Sequence, residues 1–213
     1  MTARDAAFPA RRVAPVADGA ARWAALALCA QLALAAGVLT LAGFNDHGLH
    51  IALRATARLM FLFFWVAYAG PAFEILRRRA RNFGLAFAAA LAVHLGLIGA
   101  LVAIGDPPDA RTFAIFGSAA TLIYLAALFS LPRLQAALGA RGWKILRVAA
   151  MNGALAAFAL DFAHLHFGSG LGNAILYWPF IVLVVAAPVM RSLSWLFASR
   201  ASPQRQPASL HRQ

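Results

Sequence analysis

Histidine, arginine and aspartate side chains inside apolar stretches are the residues of this sequence best suited to chemistry. His94 lies in the run from Ala88 to Leu97, which has no other polar side chain. An imidazole surrounded by hydrocarbon needs a partner for at least one ring nitrogen. It can be an axial ligand to heme iron, a proton carrier, or a structural residue hydrogen-bonded to a neighbouring helix. Spacing alone leaves these three roles open.

A second set of ionisable residues stands in two other apolar stretches. Arg54 and Arg58 are four residues apart and share one helix face, while Asp161 and His164 lie near the end of a later stretch. Two guanidinium groups on one face can bind carboxylates such as heme propionates, or extend to the membrane surface. An ion pair between Arg58 and Asp161, which would neutralise two charges in an apolar setting, is the structural alternative.

Other residues offer weaker candidates for a site. His47, His50 and His166, together with Asp46, could form a metal site, but they lack the ligand spacing of zinc sites. The single cysteine, Cys29, excludes a disulfide within the chain and a cysteine-based metal centre. The sequence also contains no phosphate-binding loop, dinucleotide fingerprint or hydrolase motif.

The elements that position these residues follow from composition. The 213 residues are 62% hydrophobic and 12% charged, whereas about a quarter of a soluble domain is charged. A surface this apolar is suited to lipid, and we expect contact with a bilayer. The net charge of +12 is gathered in clusters between apolar runs. That layout argues against nucleic-acid binding, which is typical of basic patches on a soluble fold.

Six apolar segments are long enough to span a hydrocarbon core of about 30 Å, which takes roughly 17–20 helical residues. They predict an all-α bundle of six transmembrane helices. The predicted spans are 23–44, 51–76, 83–104, 112–131, 144–165 and 174–190. We therefore divide the chain into a disordered tail (1–21), a transmembrane domain (22–198) and a second disordered tail (199–213).

Orientation follows from the distribution of lysine and arginine. Sixteen of the 19 basic residues fall in the two tails and the connections on one side, and three fall on the other. Since cytoplasmic segments retain lysine and arginine, both termini are predicted to be cytoplasmic. We expect a multi-pass protein of a bacterial-type inner (plasma) membrane.

Two stretches resemble a known family. The first runs from Arg79 to Leu85, with His94 ten residues beyond Gly84, and the second runs from Phe129 to Arg147 with the sequence Leu-Gly-x-x-x-Trp-Lys at its centre. Both are similar to the ferric reductase-like transmembrane domain family, which includes the heme-binding subunit of a periplasmic methionine sulfoxide reductase system. The similarity in the order of spans covers roughly residues 50 to 190.

This resemblance implies a cofactor and its ligands. In the family, histidines of the third and fifth helices bind heme b, through which electrons cross the membrane. His94 falls on the third-helix ligand position. On the fifth helix, Arg147 and Leu160 stand where the family has histidines, and His164 lies one turn beyond Leu160. The resemblance thus implies His94 and His164 as ligands of heme iron. Arg54 and Arg58 are the candidates for binding its propionates by their charge and spacing.

The sequence accordingly predicts a heme b-binding membrane electron-transfer protein. Whether it is an enzyme stays open; if it is one, it is a membrane oxidoreductase subunit working with a separate partner. A quinone or a reductase would be the electron donor, and a periplasmic protein the acceptor. The alternative is a non-catalytic six-helix membrane protein that keeps the fold without heme. A transporter is disfavoured because the spans show no internal repeat.

Overall fold

The chain folds as a bundle of helices. The structure, a computed structural model, describes residues 17–167 and 171–200, and within these ranges it contains helices and no strand. The helices are α1 (Ala17–Ala42), α2 (Asp46–Ala69), α3 (Glu74–Arg77), α4 (Ala80–Ala103), α5 (Ala110–Leu128), α6 (Pro132–Phe167) and α7 (Leu171–Arg200). The predicted all-α class is confirmed.

Six of these helices, all except the single-turn α3, are long and apolar enough to cross a membrane. The prediction of six spans is therefore confirmed, and the chain is a multi-pass membrane protein. We call the arginine-rich end of the bundle, where α4 and α6 begin, the inner end. The opposite end, where α2 and α5 begin, is the outer end.

Three of the differences between the predicted boundaries and the structure bear on the fold. Helix α1 begins at Ala17, before the predicted start of the first span, and residues 1–16 lie outside the described ranges. Helix α2 ends at Ala69, because a 3-10 turn over Gly70–Ala72 contains Pro71 and Phe73 is extended. Helix α6 begins at Pro132, well before the predicted start, and is interrupted at Gly139, which has φ 72° and ψ 165°. Residues 201–213 lie outside the description.

Side-chain caps begin α2 and α5, two of the helices that start at the outer end. The side chain of Asn45 accepts a hydrogen bond from the backbone N–H of Gly48, at 2.9 Å, at the start of α2. Asp109 accepts hydrogen bonds from the backbone N–H and the hydroxyl of Thr112, at 2.9 and 2.7 Å, at the start of α5. These two bonds, the backbone one foremost, hold the pKa of Asp109 below its usual value.

Helices α1, α2 and α4 pack extensively against one another, and α5 packs against α6. Helix α7 contacts α6 and α2, whereas α4 and α5 touch at few points. Aromatic rings fill part of the space between α2 and α6. Phe61 of α2 meets Phe158 and Phe162 of α6 edge-on, with ring centroids 5.0 and 5.1 Å apart. Such pairs contribute about 0.5–1.5 kcal/mol each beyond their burial.

Candidate functional site

A cavity of about 930 Å³ lies between the α2–α4 pair and the α5–α6 pair. It extends from the outer end of the bundle, at His50 and Asp106, down to Phe87 and Phe158 in the core. Its wall is mainly apolar, and its polar lining residues include His94, Arg54, Asp161 and Tyr177. A cavity of this size and lining is typical of sites for small molecules and cofactors, which range from about 300 to 1,000 Å³.

Small residues on two neighbouring helices create this space. Gly117 and Ala120 of α5, and Ala154 and Ala157 of α6, all line the cavity. A Cβ atom placed on Gly117 would meet no atom within 4 Å. Since the backbones of α4 and α5 also touch at few points, the volume between them is not filled by side chains.

The side chain of His94 is held from one side. Its Nδ1 lies 3.1 Å from Oγ1 of Thr56, a fully buried residue of α2. The Thr56 hydroxyl also lies 3.1 Å from the carbonyl oxygen of Leu53, and the Thr56 carbonyl accepts a hydrogen bond of 3.0 Å from Nε2 of buried Gln31. One polar network therefore connects α1, α2 and α4 in the interior of the bundle.

These contacts define what the imidazole can do. When the Thr56 hydroxyl donates to the Leu53 carbonyl, Nδ1 of His94 carries the proton and donates to Thr56. Nε2 is then the nitrogen with a free lone pair, and no hydrogen bond to it occurs within the described residues. An imidazole fixed through Nδ1 with Nε2 available has the arrangement of a metal-ligating histidine.

The two arginines of α2 have different surroundings. Arg54 lines the cavity, whereas the guanidinium of Arg58 lies over the ring of Tyr177, 4.6 Å from its centroid. Nε of Arg58 is buried and has no hydrogen-bond partner among the described residues. Tyr177 and Asp161 both line the cavity, so Arg58 contacts its wall through Tyr177. The Arg58–Asp161 ion pair is not one of the described ion pairs and stays a prediction.

The outer mouth of the cavity contains a histidine between two carboxylates. Nε2 of His50 lies 2.9 Å from Oδ2 of Asp106 and 3.2 Å from Oδ1 of Asp46. One donor atom from each of the three residues fits within a 4.8 Å span. The structure thus brings together His50 and Asp46 from the predicted metal group and adds Asp106. The cluster links the start of α2 to the loop after α4.

The other predicted ligands belong to α6. His164 belongs to α6, but its side chain lies outside the described part of the structure, as does that of His166. Met151, the other soft side chain of this helix, lines a separate cleft near the inner end. Ligation of iron by His164 therefore stays a prediction, as does the binding of propionates by Arg54 and Arg58.

Sequence reasoning missed three residues of this site. Thr56 and Gln31 are polar residues within apolar spans, and that signal could have marked them as partners of an ionisable group. Tyr177 follows a glycine-rich stretch of sequence and has no such signal. Its place over Arg58 depends on how α7 packs against α2.

Comparisons with known proteins do not extend the resemblance found in the sequence. No protein-family model, curated protein or solved structure matches this chain.

Proposed function

We propose that this protein is a heme b-binding membrane electron-transfer protein of the ferric reductase-like type, with the cavity as its cofactor site and His94 as an iron ligand. The observation that supports this most strongly is the state of His94. Its Nδ1 contacts Thr56, while its Nε2 has no hydrogen-bond partner within the described residues, and the residue lines a cavity of about 930 Å³. Bound heme supplies reversible one-electron transfer.

The other residues of the cavity fit such a group. The apolar wall formed by Phe87, Phe158 and Phe162 excludes water. Each polar contact between the cavity wall and a bound group is therefore stronger than it would be in water. Arg54 lines the same space and supplies a cation for a carboxylate group. Thr56 fixes the orientation of the imidazole.

The proposal also includes a second iron ligand, redox partners and a location. His164, one turn from the position that the family uses, is the proposed second iron ligand. Electrons would come from a quinone or a separate reductase and pass to a periplasmic acceptor protein. The proposed location is a bacterial-type inner membrane.

Difference spectroscopy tests the proposal directly. Purified protein from heme-replete cells should show the reduced-minus-oxidised absorbance of a b-type heme, and His94→Ala should lose it. A second variant, Gly117→Leu, places a bulky side chain in the cavity while leaving His94 unchanged and should lower heme content at least about tenfold. The matched control is Gly99→Leu, because Gly99 also has open space at its Cβ but does not line the cavity.

Two outcomes would contradict the proposal. Wild-type protein that folds and purifies without heme would leave the cofactor-free alternative. Equal heme content in the Gly117→Leu and Gly99→Leu variants would place any bound heme outside this cavity.

A further inference from the structure

A second opening lies at the inner end of the bundle. It is a cleft of about 260 Å³ between α4, α5 and α6. Its polar lining consists of Arg81, Ser130, Gln135, Trp143 and Arg147. Phe87 and Ile123 line both openings, so the cleft is separated from the cavity by these core side chains.

The long polar side chains of the cleft are mainly hydrogen-bond donors. Nη2 of Arg81 donates to the carbonyl oxygen of Ser130, at 3.1 Å, and its other N–H groups have no described protein acceptor. The guanidinium of Arg147 has no hydrogen bond, and no carboxylate within 4.0 Å, in the part of the chain that the structure describes. Trp143 contributes an indole N–H, which is a donor only. A cleft of this kind favours an anionic occupant.

The charged side chains around the cleft are, like those in it, mostly cationic. The inner end contains many cationic side chains and, among residues with described side chains, one carboxylate, Glu74, which pairs with Arg77 at 2.8 Å. Arg191 adds a further cation whose charge acts on Arg147. The positive potential of the cleft is therefore not balanced by nearby described groups.

Apolar surface adjoins this charged cleft. Leu85, Ala126 and Met151 continue its lining toward the middle of the bundle. Leu128 of α5 and Val148 of α6, two of the helices that border the cleft, are 50% and 41% exposed. Because these helices cross the membrane, exposed apolar side chains at this position contact lipid tails.

We propose that this cleft binds the phosphate group of an anionic phospholipid, with Arg81 and Arg147 contacting the phosphate oxygens and the acyl chains lying on the apolar surface of α5 and α6. Arginine matches phosphate because its planar fork donates two parallel hydrogen bonds. Basic pockets between transmembrane helices are suited to anionic headgroups. The site shares no polar residue with the proposed heme site and is independent of it.

Lipid binding to detergent-purified, delipidated protein tests the proposal by native mass spectrometry. Phosphatidylglycerol should be retained over phosphatidylcholine, which lacks net negative charge. The Arg81→Gln/Arg147→Gln variant should lose this preference, with at least about tenfold weaker binding. The matched control is Arg133→Gln/Arg141→Gln, which removes the same charge from the inner end but outside the cleft.

The single variant Arg147→Gln guards against misfolding, because Arg147 makes no hydrogen bond within the described residues. This variant should have the same thermal stability as the delipidated wild type. It should nevertheless bind phosphatidylglycerol more weakly than the wild type does. Three results would overturn the proposal. They are equal binding of the two lipids, an equal loss in the control variant, and displacement of phosphatidylglycerol by millimolar inorganic phosphate, which would identify a site for soluble anions.

Discussion

Nδ1 of His94 and Oγ1 of Thr56 lie 3.1 Å apart and join α4 to α2 across 38 residues of sequence. Thr56 is fully buried and its carbonyl also accepts a hydrogen bond from Gln31, so its position is fixed from two sides. The imidazole is therefore oriented by the protein before any ligand binds. This contact is the part of the site that mutagenesis can examine most directly.

Thr56→Val keeps the shape of the side chain and removes its hydroxyl. We expect the variant to lose roughly 1–3 kcal/mol in free energy of unfolding, since Nδ1 of His94 is left without its partner. If heme is bound through Nε2, its affinity should also fall about 10–100-fold. Thermal unfolding in detergent and heme titration measure the two effects.

Thr56→Ser is the control for this prediction, because it keeps a hydroxyl at the same position. It should retain most of the stability and all of the proposed heme affinity. A Thr56→Val protein as stable as the wild type would mean that the hydrogen bond to His94 does not contribute to folding.

Gly139 interrupts α6 with φ 72° and ψ 165°, a conformation that is essentially restricted to glycine. A Cβ atom there would meet no atom within 4 Å, so backbone strain alone decides the effect of a substitution. We expect Gly139→Ala to lower the free energy of unfolding by about 1–3 kcal/mol. Gly84→Ala is the matched control, because Gly84 is helical and also has open space. Equal stability of the two variants would contradict the prediction.

Asp109 should make the start of α5 sensitive to acid. Hydrogen bonds from Thr112 hold its folded pKa below the ordinary value of about 3.9. Its contribution to stability is therefore fully present above that value and is lost as the pH falls through the folded pKa. Asn is also a good N-cap but does not titrate. As the pH is lowered from 6 to about 3, the wild type should thus lose stability relative to the Asp109→Asn variant.

Amide hydrogen exchange at the first turn of α5, measured at both pH values with correction for the intrinsic rate, reports this change. An Asp109→Asn protein that loses protection in acid as much as the wild type would show that other carboxylates dominate the response.

Topology reporters test the orientation that the basic residues predict. Fusions after Asp46, Asp109 and Gly170 should report the periplasmic side. Fusions after Arg79, Arg141 and Arg205 should report the cytoplasmic side, since the arginine-rich connections are retained there. One inverted reporter in this set would break the predicted arrangement of spans.

The number and type of helices could be predicted from the sequence because they depend on local properties. An apolar segment must be long enough to cross the hydrocarbon core and must satisfy its own backbone hydrogen bonds, and both conditions are readable along the chain. Helix ends were less predictable. The break at Gly139 and the 3-10 turn at Pro71 depend on backbone conformations that hydropathy does not report.

The sequence by itself identified His94 as the unusual residue, since a lone imidazole in an apolar run is costly wherever it points. Only the tertiary structure decided its partner, Thr56, and placed it in the wall of a cavity of about 930 Å³. The same holds for Arg58, whose guanidinium lies over Tyr177. These contacts depend on how each helix is rotated about its axis against its neighbours. That rotation results from many small packing contacts between residues distant in sequence, so spacing along one helix cannot predict it.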